Sequence, residues 1–291
     1  MKEQEILRQI IDSCDEALLD VFLRRMEISL QAAQAHLEHQ DTPIYDPARE
    51  KAVLEHVTSG LSPELTIRAR SLWSSLLRMS RGRQYRYVIT HDPSFTLQHE
   101  RDLLPSMPEG TVLCPSNMCR EVSSSLHMEA SPCHSTAAAL EGLVNGKYER
   151  AAVLVGSYYE TEWLYSMIYN QPVYINALTP AGDGQMVALM SRKLINAPEN
   201  CILSVAFAIR MDRRGDLAQA LSVFSEADLN VEYFRVKTHN IAADDEQRIN
   251  IVFAELSGKL TSTDTRAALL QLQEERPFFR VIGYRISVLD H

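Results

Sequence analysis

Arg25 and His36 stand eleven residues apart in a stretch free of glycine and proline. On an α-helix that spacing returns to within about 20° of the same face, about 16 Å further along the axis. Ser29, Ala32 and Ala33 lie between them on that face, all small. Two groups that are cationic, or become so on protonation, flank a strip of small residues and form a trough able to hold an anion. Asp46 and Arg49 are three apart, with Glu50 adjoining. Ser80 and Gln84 are four apart, hence neighbours if their segment is helical.

The elements that would carry these residues are legible. Residues 4 to about 40 read as one uninterrupted helix, with Leu7, Ile10, Ile11, Cys14, Leu18, Val21 and Phe22 at spacings of three and four. Such a helix is roughly 55 Å long, more than one short segment can cover, so a partner chain is expected and with it a helical dimer. Asp46-Pro47 gives an N-cap and an N1 proline for a second helix to about Val57, stopped by Ser59-Gly60. Ser62-Pro63 repeats the pattern for a third helix to about Gln84. Beyond it the pattern is α/β: strands at Val88-Ile89-Thr90, Thr111-Val112-Leu113, Ala152 to Gly156 and Met186 to Met190, with a helix from Ser135 to Val144 and parallel pairing expected. From residue 201 the order becomes βαββαβ, with strands at 202–209, 231–237, 249–255 and 278–288 and helices at 215–227 and 263–275. That is a ferredoxin-like pattern.

Composition narrows the function. The 291 residues carry a net charge of −9, which argues against nucleic acid as a partner. Arg78, Arg81, Arg83 and Arg86 cluster, but without aromatic platforms, and read as a solvated helix end partly facing the trough. Residues 1–86 hold 12 Lys/Arg against 13 Asp/Glu, so the segment with the trough is locally balanced. No apolar run approaches the about 20 residues of a membrane span, and the acidic start does not suit a signal peptide. Five cysteines, the nearest pair Cys114 and Cys119, show no zinc spacing. They read as reduced, idle thiols in a cytoplasm.

Leu7-Arg8 through Asp15-Glu16, Arg24-Arg25, Pro43-x-x-Asp46-x-x-Arg49-Glu50 and Ser80-x-x-x-Gln84 together resemble the all-helical chorismate mutases. The resemblance implies three helices per chain interlocked as a homodimer, no cofactor and no metal. The implied reaction is the pericyclic rearrangement of chorismate to prephenate. It also implies roles. Arg8 (from the partner) and Arg25 bind carboxylates, and Arg49 orients Glu50, which with Asp46 meets the ring hydroxyl. Ser80 assists binding, and Gln84 donates to the ether oxygen. His36 stands where the family has a lysine. A neutral imidazole there donates one hydrogen bond without charge, and a bound dianion favours the imidazolium, so a weaker or acid-shifted activity is expected.

The middle segment resembles part of prephenate dehydratase through Ser135-Thr136-Ala137-Ala138-Ala139 and Ala152 to Ser157. It is shorter than that pattern requires, and Gly184-Gln185-Met186 stands where the family has Thr-Arg-Phe, so dehydratase activity is not expected. His134, Ser135 and Thr136 either hold an anion at a helix N-terminus or simply cap it. The C-terminal segment is similar to ACT domains, with Gly215-Asp216-Leu217 and Arg235-Val236-Lys237 at the two effector-contact positions. Both depart from the family, so an amino-acid effector and a purely structural module both stay open. The expected architecture is a helical mutase domain over 1–86, a shortened dehydratase-like α/β domain over 87–198 and an ACT-like domain over 199–291. The whole resembles the bifunctional chorismate mutase–prephenate dehydratases. The competing readings are a non-catalytic regulatory or amino-acid-binding protein, and an enzyme that keeps both activities.

Overall fold

The computed structural model describes residues 2–39, 43–106, 110–155, 162–197, 201–238 and 249–286. The chain divides into two units, Met1–Phe95 with Arg266–Glu274, and Thr96–Thr265 with Glu275–His291.

The first unit is built on three helices. α1 spans Lys2–His39, about 57 Å at 1.5 Å per residue. Asp46 opens α2 (Pro47–Thr58), its carboxylate accepting from the backbone N–H groups of Ala48 and Arg49 at 3.0 Å. Those donors have no partner inside the helix, and Pro47 has no N–H to satisfy. Ser62 does the same for α3 (Pro63–His91), accepting from Leu65. α1 packs along α3, and α2 packs on α3. On α1 the buried side chains are Met26, Ser29 and Ala33, two of the three small enough for a close helix approach. By contrast Ile6, Leu7, Ile10, Ile11, Leu18 and Val21 are each more than half exposed. The apolar stripe read from the sequence is present, and within the chain it is largely uncovered.

The expected strand at Val88-Ile89-Thr90 is helix instead, so α3 runs past residue 86 to His91. β-branched residues are only weakly disfavoured in helices. Here packing decides: Arg78, Arg81, Tyr85 and Val88 recur at spacings of three and four and are all buried. The helix stops where Pro93 forces Asp92 into an extended conformation (φ −130°, ψ 112°).

The second unit carries one mixed sheet of nine strands among the described residues, in the order β2-β1-β3-β5-β4-β9-β6-β8-β7. Its first part runs β1 (Val112–Pro115), α4 (Cys119–Leu126), β2 (Ala130–Cys133), α5 (Thr136–Val144), β3 (Arg150–Val155), α6 (Glu162–Ile168), β4 (Tyr174–Gly182) and β5 (Gln185–Ser191). The expected parallel pairing holds for β1 with β2 and β3 only. β5 is antiparallel to both β3 and β4. The physical reason is the turn Asp183-Gly184, both residues at positive φ (50° and 73°). Such a pair joins two strands as a tight hairpin.

The remaining elements are β6 (Cys201–Arg210), α7 (Asp216–Glu226), β7 (Asn230–Thr238), β8 (Ile249–Ser257), α8 (Thr263–Glu275) and β9 (Phe279–Ile286). Their strand order β9-β6-β8-β7 is that of a ferredoxin-like βαββαβ sheet. Inside it Glu255, 1% exposed, accepts from the Tyr165 hydroxyl at 2.7 Å and pairs with Arg285 at 3.3 Å. No helix among the described residues is long and apolar enough to cross a membrane.

The two parts of the sheet join where Ile175 of β4 meets Gly283 of β9 in parallel register. Gly283 has φ 151°, and a Cβ there would run into the Ile175 backbone. Only glycine permits that approach. Gly283→Ala is therefore expected to lower stability by about 3 kcal/mol, measured as a fall in the thermal unfolding midpoint. An unchanged midpoint would show that β4 and β9 are not held together there.

Candidate active site

A pocket of about 460 Å³ opens in the helical unit. Val21, Arg24, Arg25, Ile28, Ser29 and Ala32 of α1 form one wall, and Ser80 and Gln84 of α3 the other. The i, i+3 and i+4 spacing that the sequence showed puts Arg25, Ser29 and Ala32 on that wall, while Ala33 turns into the helix contact and is fully buried. Both serines spend their hydroxyl protons on their own helices: Ser29 Oγ donates to the Met26 carbonyl and Ser80 Oγ to that of Leu76, each at 2.8 Å. The fixed donors facing the pocket are then the two guanidinium groups and the Gln84 amide. Arg25 Nε is buried and has no hydrogen-bond partner. A buried donor left unpaired costs about 1–3 kcal/mol, which an anionic ligand would offset.

The other expected residues lie outside the pocket wall. His36 is half-buried, its ring 6.0 Å from that of Phe95, and its Nδ1 is buried without a partner. Asp46 caps α2 through the two N–H groups described above. Arg49 is exposed. Glu50, expected beside Arg49, forms an ion pair with Arg81. Arg81 is 8% exposed and its guanidinium lies over the Tyr45 ring, 4.9 Å from the centroid. Arg8 is exposed and lies 4.0 Å from Glu5. Seventeen residues along α1 put it about 26 Å from Arg25, beyond the reach of any side chain within one chain.

A protein-family model for chorismate mutase type II matches residues 7–85. These residues form a chorismate mutase type II domain. Among solved structures the chain is similar to a prephenate dehydratase from Arthrobacter aurescens in complex with L-Phe, at 13% identity and TM-score 0.48, covering 61% of this chain and 90% of that one. A prephenate dehydratase from Streptococcus mutans gives 13%, 0.46, 60% and 97%. GqqA, a novel type of quorum quenching acylase, gives 13%, 0.45, 61% and 95%. No curated protein matches the chain.

Within the mutase domain, sequence reasoning missed Arg81 as the partner of Glu50 and took all four clustered arginines for a solvated end. Arg78 and Arg81 are buried, while Arg83 and Arg86 are exposed. The signal was available: 78, 81, 85 and 88 form a helical stripe with Tyr85 and Val88. Arg24 was seen only as part of a motif, and its place on the wall needed the helix phase.

At the two effector-contact positions of the second unit, Gly215 adopts φ 80° at the start of α7, and Leu217 is half-buried beside it. Asp216 is 5% exposed, pairs with Arg276 at 2.8 Å and accepts from the Arg210 N–H at 2.8 Å. Arg235 is exposed on β7. Ser135 caps α5 by accepting from Ala138 at 3.2 Å.

Removing Arg81 takes away the ion pair it makes with Glu50, whose side chain is 22% exposed. Arg81→Met is expected to cost about 2 kcal/mol, less than a fully buried pair because Glu50 still reaches water. The thermal midpoint should fall, and Glu50→Gln on the same background should recover part of it. No fall would mean that the pair does not hold α2 to α3.

Proposed function

We propose that the helical unit is a working chorismate mutase, active as a cytoplasmic homodimer in aromatic amino-acid synthesis. The observation that carries this is the pocket wall, where two arginines, a serine and a glutamine converge inside the matched domain. Its volume suits a small-molecule site (about 300–1,000 Å³).

The chemistry explains the residue types. Chorismate rearranges in one pericyclic step that needs no nucleophile, acid–base pair or metal. The substrate is an extended dianion, and catalysis consists of holding both carboxylates while the reacting ends are brought together. Arginine does this with a permanent charge and a bidentate fork. The ether oxygen gains negative charge as its C–O bond breaks, so a fixed donor there is worth more in the transition state than in the ground state.

In this reading Arg25 and the partner subunit's Arg8 hold the carboxylates. Glu50, positioned by Arg81, meets the ring hydroxyl with Asp46. Ser80 assists binding, Gln84 donates to the ether oxygen, and Arg24 and Arg49 add positive field. His36 takes the place of a lysine. Support for the dimer comes from the uncovered apolar face of α1 and from the distance between Arg8 and Arg25.

The middle of the chain is read as a dehydratase-like lobe without that activity, because Gly184-Gln185-Met186 belongs to a β hairpin. Residues 199–291 are read as an ACT-like module with a structural role. Asp216 is held by Arg276 and Arg210, so titration with phenylalanine should give no saturable heat.

Incubating the protein with chorismate should give loss of chorismate absorbance with prephenate and no phenylpyruvate. Arg25→Ala should lower kcat/KM about 100-fold or more, and Gln84→Ala should act chiefly on kcat. Phenylpyruvate would establish the bifunctional enzyme; no loss of chorismate would favour a binding protein. His36→Lys, which restores a fixed charge, should raise kcat/KM at pH 8 by about 10-fold. Absence of turnover at every pH, unrescued by His36→Lys, would end the proposal.

A further inference from the structure

All five cysteines are free thiols, and two of them meet. β1 ends in Cys114-Pro115, and a 3-10 turn (Ser116–Met118) leads into Cys119, the first residue of α4. The Cys119 Sγ comes to 2.8 Å from the Cys114 Sγ. A small displacement separates that geometry from a disulfide.

The two cysteines differ in burial. Cys114 has no exposed surface and packs in an apolar cluster with Val112, Val122 and Ala152. Burial, then the hydrogen bond and charge of Cys119, push its thiol up to about 12, so it stays protonated at neutral pH. Cys119 is half-buried in the first turn of α4, packs against the edge of that same cluster and directs its thiol toward the Pro115 carbonyl at 3.4 Å. Cys133, at the end of the neighbouring strand, directs its thiol to the Ser135 carbonyl at 3.3 Å.

We propose that Cys119 and Cys114 are a redox-active dithiol that exchanges with small-molecule disulfides of the glutathione class, closing to a cystine and reopening on reduction. The Cys119 thiolate attacks one sulfur of the small disulfide. That S–S bond breaks, and one small thiolate leaves and takes a proton. Cys114 then loses its proton to solvent, and its sulfur attacks the Cys119 sulfur, displacing the second small thiol. Two protein S–H bonds become one S–S bond, and the small disulfide becomes two thiols, having received two electrons. In the mixed disulfide Cys119 no longer adds charge beside Cys114, which eases the second step. The closed loop spans only residues 114 to 119, so the bond constrains the unfolded chain little. It is suited to reversible exchange rather than to stapling the fold.

The test equilibrates the full-length protein anaerobically in mixtures of reduced and oxidised glutathione, quenches with acid, and maps the peptides covering 110–135 by mass. The wild type should show a Cys114–Cys119 bridge, no retained glutathione on that peptide, and full reversal by dithiothreitol. Cys114→Ser should stop at one glutathione on Cys119, and Cys133→Ser should still close the bridge. A stable glutathione adduct at Cys119 in the wild type, a bridge to Cys133, or an unmodified Cys119 in the most oxidising mixture would each overturn the proposal.

Discussion

A 38-residue helix whose own chain covers only a short stretch of it is the constraint on which the helical unit depends. α3 covers α1 around Met26, Ser29 and Ala33. The half of α1 before them carries isoleucines and leucines at helical spacing with nothing of the same chain on them. Two copies laid together would cover a dozen such side chains. At about 1 kcal/mol for each half-exposed one, that is on the order of ten kcal/mol, comparable with the cost of association. The same length sets Arg8 about 26 Å from Arg25, so a site that uses both arginines has to be shared between chains. Under the proposed function, both would be met by the same dimer.

In the proposed reading the pocket works by fixed charge. Arg24 and Arg25 face Ser80 and Gln84 across the pocket, and the Arg25 Nε already stands desolvated without an acceptor. Donors held in place before substrate arrives need no reorganisation as charge develops on the ether oxygen. The second layer follows from the same economy. Arg81 lies against Tyr45 and pairs with Glu50, so one buried cation both ties α2 to α3 and sets the direction of a carboxylate.

Much of this was legible in the sequence. The Asp46-Pro47 and Ser62-Pro63 starts are local signals, because capping involves only residues two or three apart, and both are present. Of the expected trough, Arg25, Ser29 and Ala32 line the pocket, as helix phase alone places them, while His36 and Ala33 do not. What was not legible depended on packing or on a turn. The run Val88-Ile89-Thr90 favours a strand by residue type, but the buried stripe through Arg78, Arg81, Tyr85 and Val88 keeps it helical. The Asp183-Gly184 turn reverses β5 against the expected parallel arrangement. The pairing of Arg81 with Glu50 depends on how α2 docks on α3, which residue spacing does not encode. Likewise the sequence spaced Cys114 and Cys119 five apart, and only the turn between β1 and α4 brings their sulfurs together.

The shared site is open to one direct measurement. Arg8→Ala and Arg25→Ala chains, each inactive alone, are co-expressed with different tags and their mixture assayed with chorismate. In a mixed dimer one site keeps the Arg25 of one chain and the Arg8 of the other, while the second site loses both. With random pairing, activity should return to about a quarter of the wild-type level. A mixture no more active than its separate components would contradict a site completed by the partner chain.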